Sequence, residues 1–161
     1  MEIRQAEITD WKAIWKIFHS VIVDGDTYVF DPDTPEAAAR SYWFAEGTST
    51  WVATDQGEIL GTYIFKANQP ALGSHIANAS YMVSPNARGK GVGSAMCRHS
   101  LQAAEQAGFL AMQFNIVVST NAPAVHLWKK HGFRTIGTIP KGYRHRQLGL
   151  VDALIMFREL E

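Results

Sequence analysis

The segment Arg88–Ser94, which reads Arg-Gly-Lys-Gly-Val-Gly-Ser, has the residue types of an anion-binding loop. Its alternating glycines let the backbone approach a ligand closely and adopt positive φ at no steric cost. The segment follows a strand-like stretch that ends at Val83 and leads into a helix-like stretch from about Val92 to Ala107. The first turn of a helix has unpaired N–H groups and the positive end of the helix dipole. The segment therefore predicts a cradle for phosphate or pyrophosphate.

Two common phosphate-binding motifs do not account for this loop. A Walker loop requires Lys-Ser or Lys-Thr directly after its last glycine, and neither pair is present. A dinucleotide-binding fingerprint requires the spacing G-x-G-x-x-G, which these glycines do not have. The pattern that remains is Arg88-x-x-Gly91-x-Gly93, and its alternative interpretation is an ordinary glycine-rich turn before a surface helix.

A second motif runs from Asn121 to Phe133, after a strand-like stretch at 111–118. Asn121 is a favourable N-cap, Pro123 lies in the first turn and Gly132 ends the periodic segment, so a short helix is predicted. The two motifs together resemble the cofactor motifs of the GCN5-related N-acetyltransferases, R-x-x-G-x-G and N-x-x-A-x-x-L-Y-x-K-x-G-F. In the second motif the matching residues are Asn121, Ala124, Leu127, Lys130, Gly132 and Phe133.

The resemblance implies that acetyl-CoA is the acetyl-donor co-substrate. In that family the loop holds the pyrophosphate, the pantetheine arm pairs with the preceding strand, and a backbone N–H near Val83 would stabilise the oxyanion. Asn121 would contact the arm from the other side or act as a plain helix cap, and the loop cations would contact phosphate or remain solvated. By this resemblance the cofactor-binding residues are Met82, Val83, Arg88, Gly89, Lys90, Gly91, Val92, Gly93, Ser94 and Asn121.

Trp128 departs from the family pattern, since many members have a Tyr there that is proposed to protonate the departing thiolate. An indole N–H can donate a hydrogen bond but is not a practical proton donor. A thiol has a pKa of about 8.5, so a thiolate can leave without full proton transfer. The sequence therefore assigns no general acid, and a packing role for Trp128 is the favoured interpretation.

Asn78 and Asn115 each interrupt an apolar strand-like segment. Asn is disfavoured in strands, and a buried amide without a partner is costly. Either the two amides bond to each other or to backbone, or both point into a cleft and position the acceptor. The patterns around them, with Gly137-x-Ile-Pro and Val151-Asp-Ala, resemble the yeast-type L-azetidine-2-carboxylate N-acetyltransferases, which acetylate small cyclic secondary amino acids. That resemblance implies that Asn78 and Asn115 are catalytic.

The acceptor pocket is expected between the loop after the first helix and the loop before the last strand. A carboxylate there would bind an ammonium group, and Arg144 or His145 a substrate carboxylate. Solvated polar loops are the alternative interpretation. The residues expected to bind the acceptor are Asp26, Thr27, Tyr28, Phe30 and Tyr143.

Composition restricts the function classes. The 161 residues predict one domain, residues 1–161, with a single core. The formal net charge of zero disfavours nucleic-acid binding, and no apolar run reaches the roughly 18 residues of a membrane span. Cys97 is the sole cysteine and is expected to be a buried packing residue, and a cytoplasmic location is the simplest setting. The histidines lack metal-site spacing, so no metal is predicted.

The elements that must position these residues follow the order β-α-α-β-β-β-α-β-α-β-β. This is also the order of the acetyltransferase fold, so the expected class is α/β, with a central mixed sheet flanked by helices. Segment 140–149 is predicted as a loop between strands 133–139 and 151–157. A homodimer is expected by analogy with that fold.

The leading hypothesis is an acetyl-CoA-dependent N-acetyltransferase acting on a small-molecule amine, an amino acid or an imino acid, by direct attack in a ternary complex. A protein or peptide N-terminal acetyltransferase of the same fold is one alternative. A non-catalytic acyl-CoA sensor is another, because Trp128 replaces the usual Tyr and no carboxylate base is evident.

Overall fold

The computed structural model describes all residues 1–161, which form seven strands and four α-helices. Their order is the predicted one. The elements are β1 (Glu2–Gln5), α1 (Trp11–Ile22), α2 (Glu36–Trp43), β2 (Ser49–Asp55), β3 (Glu58–Ala67), β4 (Ile76–Val83), α3 (Val92–Gln106), β5 (Ala111–Val118), α4 (Ala122–Lys130), β6 (Arg134–His145) and β7 (Gly149–Glu159). None of the helices combines the length and the apolar character that crossing a membrane requires.

All seven strands belong to one mixed sheet, in the order β1-β2-β3-β4-β5-β7-β6. Every neighbouring pair is antiparallel except β4 and β5, which are parallel. That parallel pairing is confined to Ile76 opposite Ala111 and Ala77 opposite Met112. Beyond these residues the two strands diverge, so the sheet has a V-shaped opening near its middle.

The predicted loop at 140–149 is wrong, because β6 continues to His145 and leaves a turn of three residues. Tyr143 pairs with Val151 and His145 with Gly149. The register shifts between Ile139 and Tyr143, as in a β-bulge, and such a bulge tolerates a proline that cannot donate to the ladder. Proline and glycine within the segment conceal the strand in the sequence, whereas pairing with β7 stabilises it.

Helices cover both faces of the sheet and form two apolar clusters. On one face α1 and α2 bury Phe18 and Trp43 against Val52 and Ile64 of the sheet. On the other face α3 and α4 pack against a cluster that includes Tyr63, Met96, Met112 and Met156. Alternate residues of each strand point to opposite faces, so one sheet supplies both clusters.

Cys97 lies in the second of these clusters and is fully buried. Burial raises the pKa of its thiol to about 12, because an apolar surrounding disfavours the thiolate. The predicted packing role for Cys97 is therefore confirmed.

Gly61 of β3 lies close to side chains of α3. A Cβ built there would lie 2.9 Å from Met96 Cε and 3.0 Å from Val92 Cγ1. Gly137 in β6 has more room, since the nearest atom to a built Cβ is Ile155 Cδ1 at 3.5 Å.

We expect Gly61→Ala to lower the free energy of unfolding by about 1–3 kcal/mol, the usual cost of overpacking a core. Gly137→Ala is the matched control and should leave the stability near that of the wild type. Urea denaturation followed by circular dichroism measures both. Equal stability of the two variants would contradict the tight packing of α3 on β3.

Candidate active site

The opening between β4 and β5 holds a cavity of about 630 Å³. Its walls come from residues 78–83 of β4, residues 114–118 of β5, the loop after α1 and the start of α4. Most of the residues predicted from sequence to form the site meet here. Those that line the cavity are Asp26, Thr27, Tyr28, Phe30, Asn78, Met82, Val83, Arg88, Asn115 and Asn121.

The glycine loop lies at the Val83 end of this cavity and leads into α3. Gly89 and Gly91 have φ of 77° and 79°, which glycine adopts readily and other residues rarely do. A Cβ built on Gly93 would lie 3.4 Å from Leu127 Cδ2, so the first turn of α3 lies against α4. Five N–H groups between residues 89 and 94 have no backbone acceptor and are therefore free to bind an anion. They belong to Gly89, Gly91, Val92, Gly93 and Ser94.

The two loop cations differ in position. Arg88 lines the cavity, whereas Lys90 is exposed and lies outside its lining. Neither side chain forms an ion pair within the protein. Their charges are therefore available to an anion, and that of Arg88 is the better placed of the two.

The backbone of β4 offers one free edge to the cavity. Ser84 N–H bonds to Leu60 C=O at 2.8 Å, and Met82 is opposite Thr62 in the same alternation, so the even-numbered residues bond to β3. Backbone groups alternate in direction along a strand, so Tyr81 and Val83 face the opening. The prediction that both Met82 and Val83 pair with a ligand is corrected accordingly: Val83 has backbone groups that face the cavity, and Met82 does not.

Tyr28 bonds to this edge of β4 at Tyr81, which lies further from the glycine loop than Val83. Its hydroxyl donates to the Tyr81 C=O and accepts from the Tyr81 N–H at 2.9 Å. Burial raises the pKa of the Tyr28 phenol well above its ordinary value, so the hydroxyl stays protonated. Tyr28 is predicted in the acceptor pocket, but its contact with Tyr81 has no local signal in the sequence because the two residues are 53 apart in the chain.

The residues expected to bind the acceptor divide between two cavities: Tyr28 and Phe30 line both, whereas Tyr143 does not line this one. It lines a neighbouring cavity of about 880 Å³, between the loop after α1 and the β6–β7 hairpin. Its hydroxyl donates to the Tyr28 C=O at 2.9 Å and so holds the loop from behind. Burial, and secondarily the charge of Asp26, raises the pKa of Tyr143.

Arg144 and His145 also line the neighbouring cavity. The Nδ1 atom of His145 accepts the N–H groups of Gln147 and Leu148, each at 3.1 Å. With Nδ1 acting as acceptor, the neutral ring has its proton on Nε2.

Asn78 and Asn115 both line the opening, and both also have hydrogen-bond partners. Asn78 Nδ2 donates to the Gln113 C=O at 3.0 Å, which leaves the side-chain oxygen of Asn78 without a partner in the protein. Asn115 Nδ2 donates to Asn68 Oδ1 at 2.7 Å, and Asn115 Oδ1 accepts from Gln113 Nε2 at 3.0 Å. Both amides therefore form hydrogen bonds within the protein and also line the cleft, so the two interpretations are compatible. Of the two side-chain oxygens, that of Asn78 is the one without a partner.

The helix α4 begins at the cavity and contributes an apolar wall. Asn121 Oδ1 accepts the Ala124 N–H at 3.4 Å, so the residue caps α4 and also lines the opening. Trp128 is 9% exposed and packs against Tyr81 and Phe114, with ring centroids 4.9 and 4.7 Å away. These contacts are those of a packing residue, the role favoured for Trp128 from the sequence.

One contact between α3 and α4 had no signal in the sequence. Ser94 Oγ lies 2.8 Å from His131 Nε2 and joins the first turn of α3 to the end of α4. Burial, followed by the charges of Arg98, Lys130 and Arg158, lowers the pKa of His131, so the ring is neutral near pH 7.

This arrangement suits an extended ligand with an anionic end. The N-terminal turn of α3 would hold the anion, the edge of β4 at Val83 would pair with a polar arm, and the far end of the ligand would lie against the Tyr28 phenol. No group of three or more His, Cys, Asp or Glu side chains is placed to hold a metal ion.

Comparison with known proteins gives related folds and sequences. The chain is 42% identical to a solved GCN5-related N-acetyltransferase from Kribbella flavida, with a TM-score of 0.94 over 99% of this chain and 97% of that one. It is 28% identical to L-amino acid N-acetyltransferase AaaT of Escherichia coli K12, over 97% of this chain and 96% of AaaT.

A third relative is N-acetyltransferase aca1 of Schizosaccharomyces pombe, which is 37% identical over 98 residues. That match covers 60% of this chain and spans 47% of the length of aca1.

The model of the acetyltransferase (GNAT) family matches residues 11–133, which include α1, both cofactor-type motifs and the strands that form the opening. The predicted fold, a central mixed sheet flanked by helices, is confirmed. The chain therefore belongs to the acetyltransferase (GNAT) family and is an acyltransferase.

Proposed function

We propose that this protein transfers the acetyl group of acetyl-CoA to the amine of a small molecule, in particular an amino acid or an imino acid. The observation that carries the proposal is the opening between β4 and β5, with unpaired N–H groups at one end and a tethered polar and aromatic loop at the other.

The residues at the opening fit acetyl-CoA. Acetyl-CoA supplies pyrophosphate, a polar arm and a thioester whose carbonyl carbon an amine can attack. The free N–H groups of residues 89–94 and the Arg88 side chain would hold the phosphates. Val83 presents its N–H and C=O to the cavity, where both can pair with the polar arm.

The acceptor side favours a small molecule over a peptide. The loop after α1 is tied to the β6–β7 turn, because the Arg146 N–H donates to Gly25 C=O at 3.0 Å and Arg146 Nη1 to Val23 C=O at 2.9 Å. These bonds and the Tyr28–Tyr81 contact hold the loop after α1 over the edge of β4, where it narrows the access of an acceptor to the cavity. The name of the relative AaaT, an L-amino acid N-acetyltransferase, supports the same substrate class.

The side chains lining the cavity suggest how an amine would be oriented. The Asp26 carboxylate attracts an ammonium group into the cavity. The free side-chain oxygen of Asn78 would accept a hydrogen bond from a polar group of the acceptor and so orient the acceptor in the cavity. Asn115 would support this amide row through Gln113 and Asn68. The resemblance to the azetidine-2-carboxylate branch extends the expected acceptors to cyclic secondary amino acids.

The direct test of the function is release of CoA thiol from acetyl-CoA with a panel of acceptors. The panel contains primary amino acids, azetidine-2-carboxylate, proline, polyamines and short peptides. We expect turnover with amino or imino acids and little with peptides. Turnover restricted to peptides would contradict the small-molecule assignment. Acetyl-CoA binding without turnover of any acceptor would instead favour a sensor.

The glycine loop gives a prediction for cofactor affinity. Alanine in the left-handed region costs roughly 1–2 kcal/mol, so Gly91→Ala, at φ 79°, should rotate the N–H groups out of the cradle. A loss of that size corresponds to about tenfold weaker binding of CoA, measured by calorimetry.

Gly57→Ala is the matched control for this variant. Gly57 has φ 83° and open space around a built Cβ, as Gly91 has, but it lies in the β2–β3 turn. Both variants should lose thermal stability, and Gly91→Ala alone should lose CoA affinity. Equal CoA affinity in the two variants would argue against the cradle.

Asn78→Ala should lower kcat/KM for the acceptor by about 10²-fold, a loss typical of a misplaced reacting group, with CoA affinity unchanged. Asn115→Ala should lose less, because both ends of its amide are already bonded to Gln113 and Asn68. Steady-state kinetics with saturating acetyl-CoA measures both variants. Wild-type kinetics for Asn78→Ala would remove Asn78 from the site.

A further inference from the structure

The free edge of β4 is interrupted at one residue by a side chain from a distant loop. Along β4, Tyr81 and Val83 are two neighbouring positions on the side whose backbone groups face the opening. Val83 is the one nearer the anion cradle. The Tyr28 hydroxyl takes both the N–H and the C=O of Tyr81. A ligand arm that enters from the cradle can therefore pair with Val83 but meets the phenol at the next step.

The phenol is held firmly at this position. Two hydrogen bonds join its hydroxyl to Tyr81, and the Tyr143 hydroxyl bonds to the C=O of Tyr28 itself. The ring lies near that of Phe30, with centroids 6.2 Å apart, and Arg146 ties the loop to the β6–β7 turn at two further points. Moving the phenol aside would break its bonds and leave the Tyr81 N–H and C=O unpaired, which is costly in a buried setting.

From these contacts we propose that Tyr28 is an acyl-length determinant: its phenol ends the donor arm at Val83 and restricts the transferred group to acetyl. The inference rests on the proposed function. The acetyl group has one carbon beyond the carbonyl, and a longer chain would extend into the space that the phenol fills. A rigid wall of this kind discriminates because each extra methylene must displace a bonded side chain.

The test is the affinity of the whole protein for acetyl-, propionyl- and butyryl-CoA without acceptor, measured by calorimetry so that the result does not depend on turnover. The wild type should bind butyryl-CoA at least about tenfold more weakly than acetyl-CoA, the discrimination that a closed pocket exerts against added methylenes. We call the affinity for acetyl-CoA divided by that for butyryl-CoA the acetyl-to-butyryl ratio. Tyr28→Ala should lower this ratio to about threefold or less, mainly because butyryl-CoA binds more tightly.

Tyr28→Phe keeps the ring and the loop packing but removes both bonds to Tyr81. Because the phenyl ring can then move aside, its acetyl-to-butyryl ratio should fall between those of the wild type and Tyr28→Ala. Tyr42→Phe is the matched control, since Tyr42 lines the same cavity without a hydrogen bond to β4 and the variant keeps the ring that packs on Phe30; it should keep the wild-type ratio.

The outcomes separate this inference from the proposed function. Wild-type binding of acetyl-CoA, with an acetyl-to-butyryl ratio unchanged in both Tyr28 variants, overturns the length-determining role alone. Equal wild-type affinity for acetyl- and butyryl-CoA also overturns it. No binding of any CoA ester by the folded wild type overturns the proposed function, and the role of Tyr28 with it.

Discussion

The separation of β4 from β5 is the constraint on which the rest of the structure depends. Their parallel pairing covers two residues of each strand, after which the backbones diverge while each strand keeps its other neighbour. Backbone N–H and C=O groups at the edges of this opening have no sheet partner, and such groups must be satisfied by side chains, solvent or a ligand. A sheet that is otherwise continuous thus has a polar slot at its centre.

Aromatic packing on the α3–α4 side maintains the separation. Tyr81 of β4 and Phe114 of β5 pack edge to face, and Trp128 of α4 lies against both. Phe133 stacks on Phe114 with ring centroids 4.3 Å apart. These rings fill the wedge where the strands part, so closing the sheet would require expelling them from the core. In this position Trp128 has a structural reason to be large and apolar, whatever residue serves as a proton donor.

The two ends of the slot are stabilised in different ways. At the Val83 end, Gly93 allows α3 to approach α4, and Ser94 bonds to His131, which fixes the direction of the free N–H groups. At the inner end, the loop after α1 is fastened to β4 by Tyr28 and to the β6–β7 hairpin by Tyr143. The first end suits a charged ligand, and the second limits the size of what lies beyond it.

The sequence by itself determined the features that depend on contiguous residues. The order of the elements follows from local periodicity and from Gly and Pro positions, the anion loop is continuous from 88 to 94, and Asn121 caps the helix that directly follows it. The tertiary structure decided the direction of Met82, the extension of β6 through Pro140, and the contact between Tyr28 and Tyr81, which are 53 residues apart. A hydrogen-bond partner across a sheet depends on register and on which loop packs over the edge. Both are set by the burial of the whole core, and no short window of sequence contains that information.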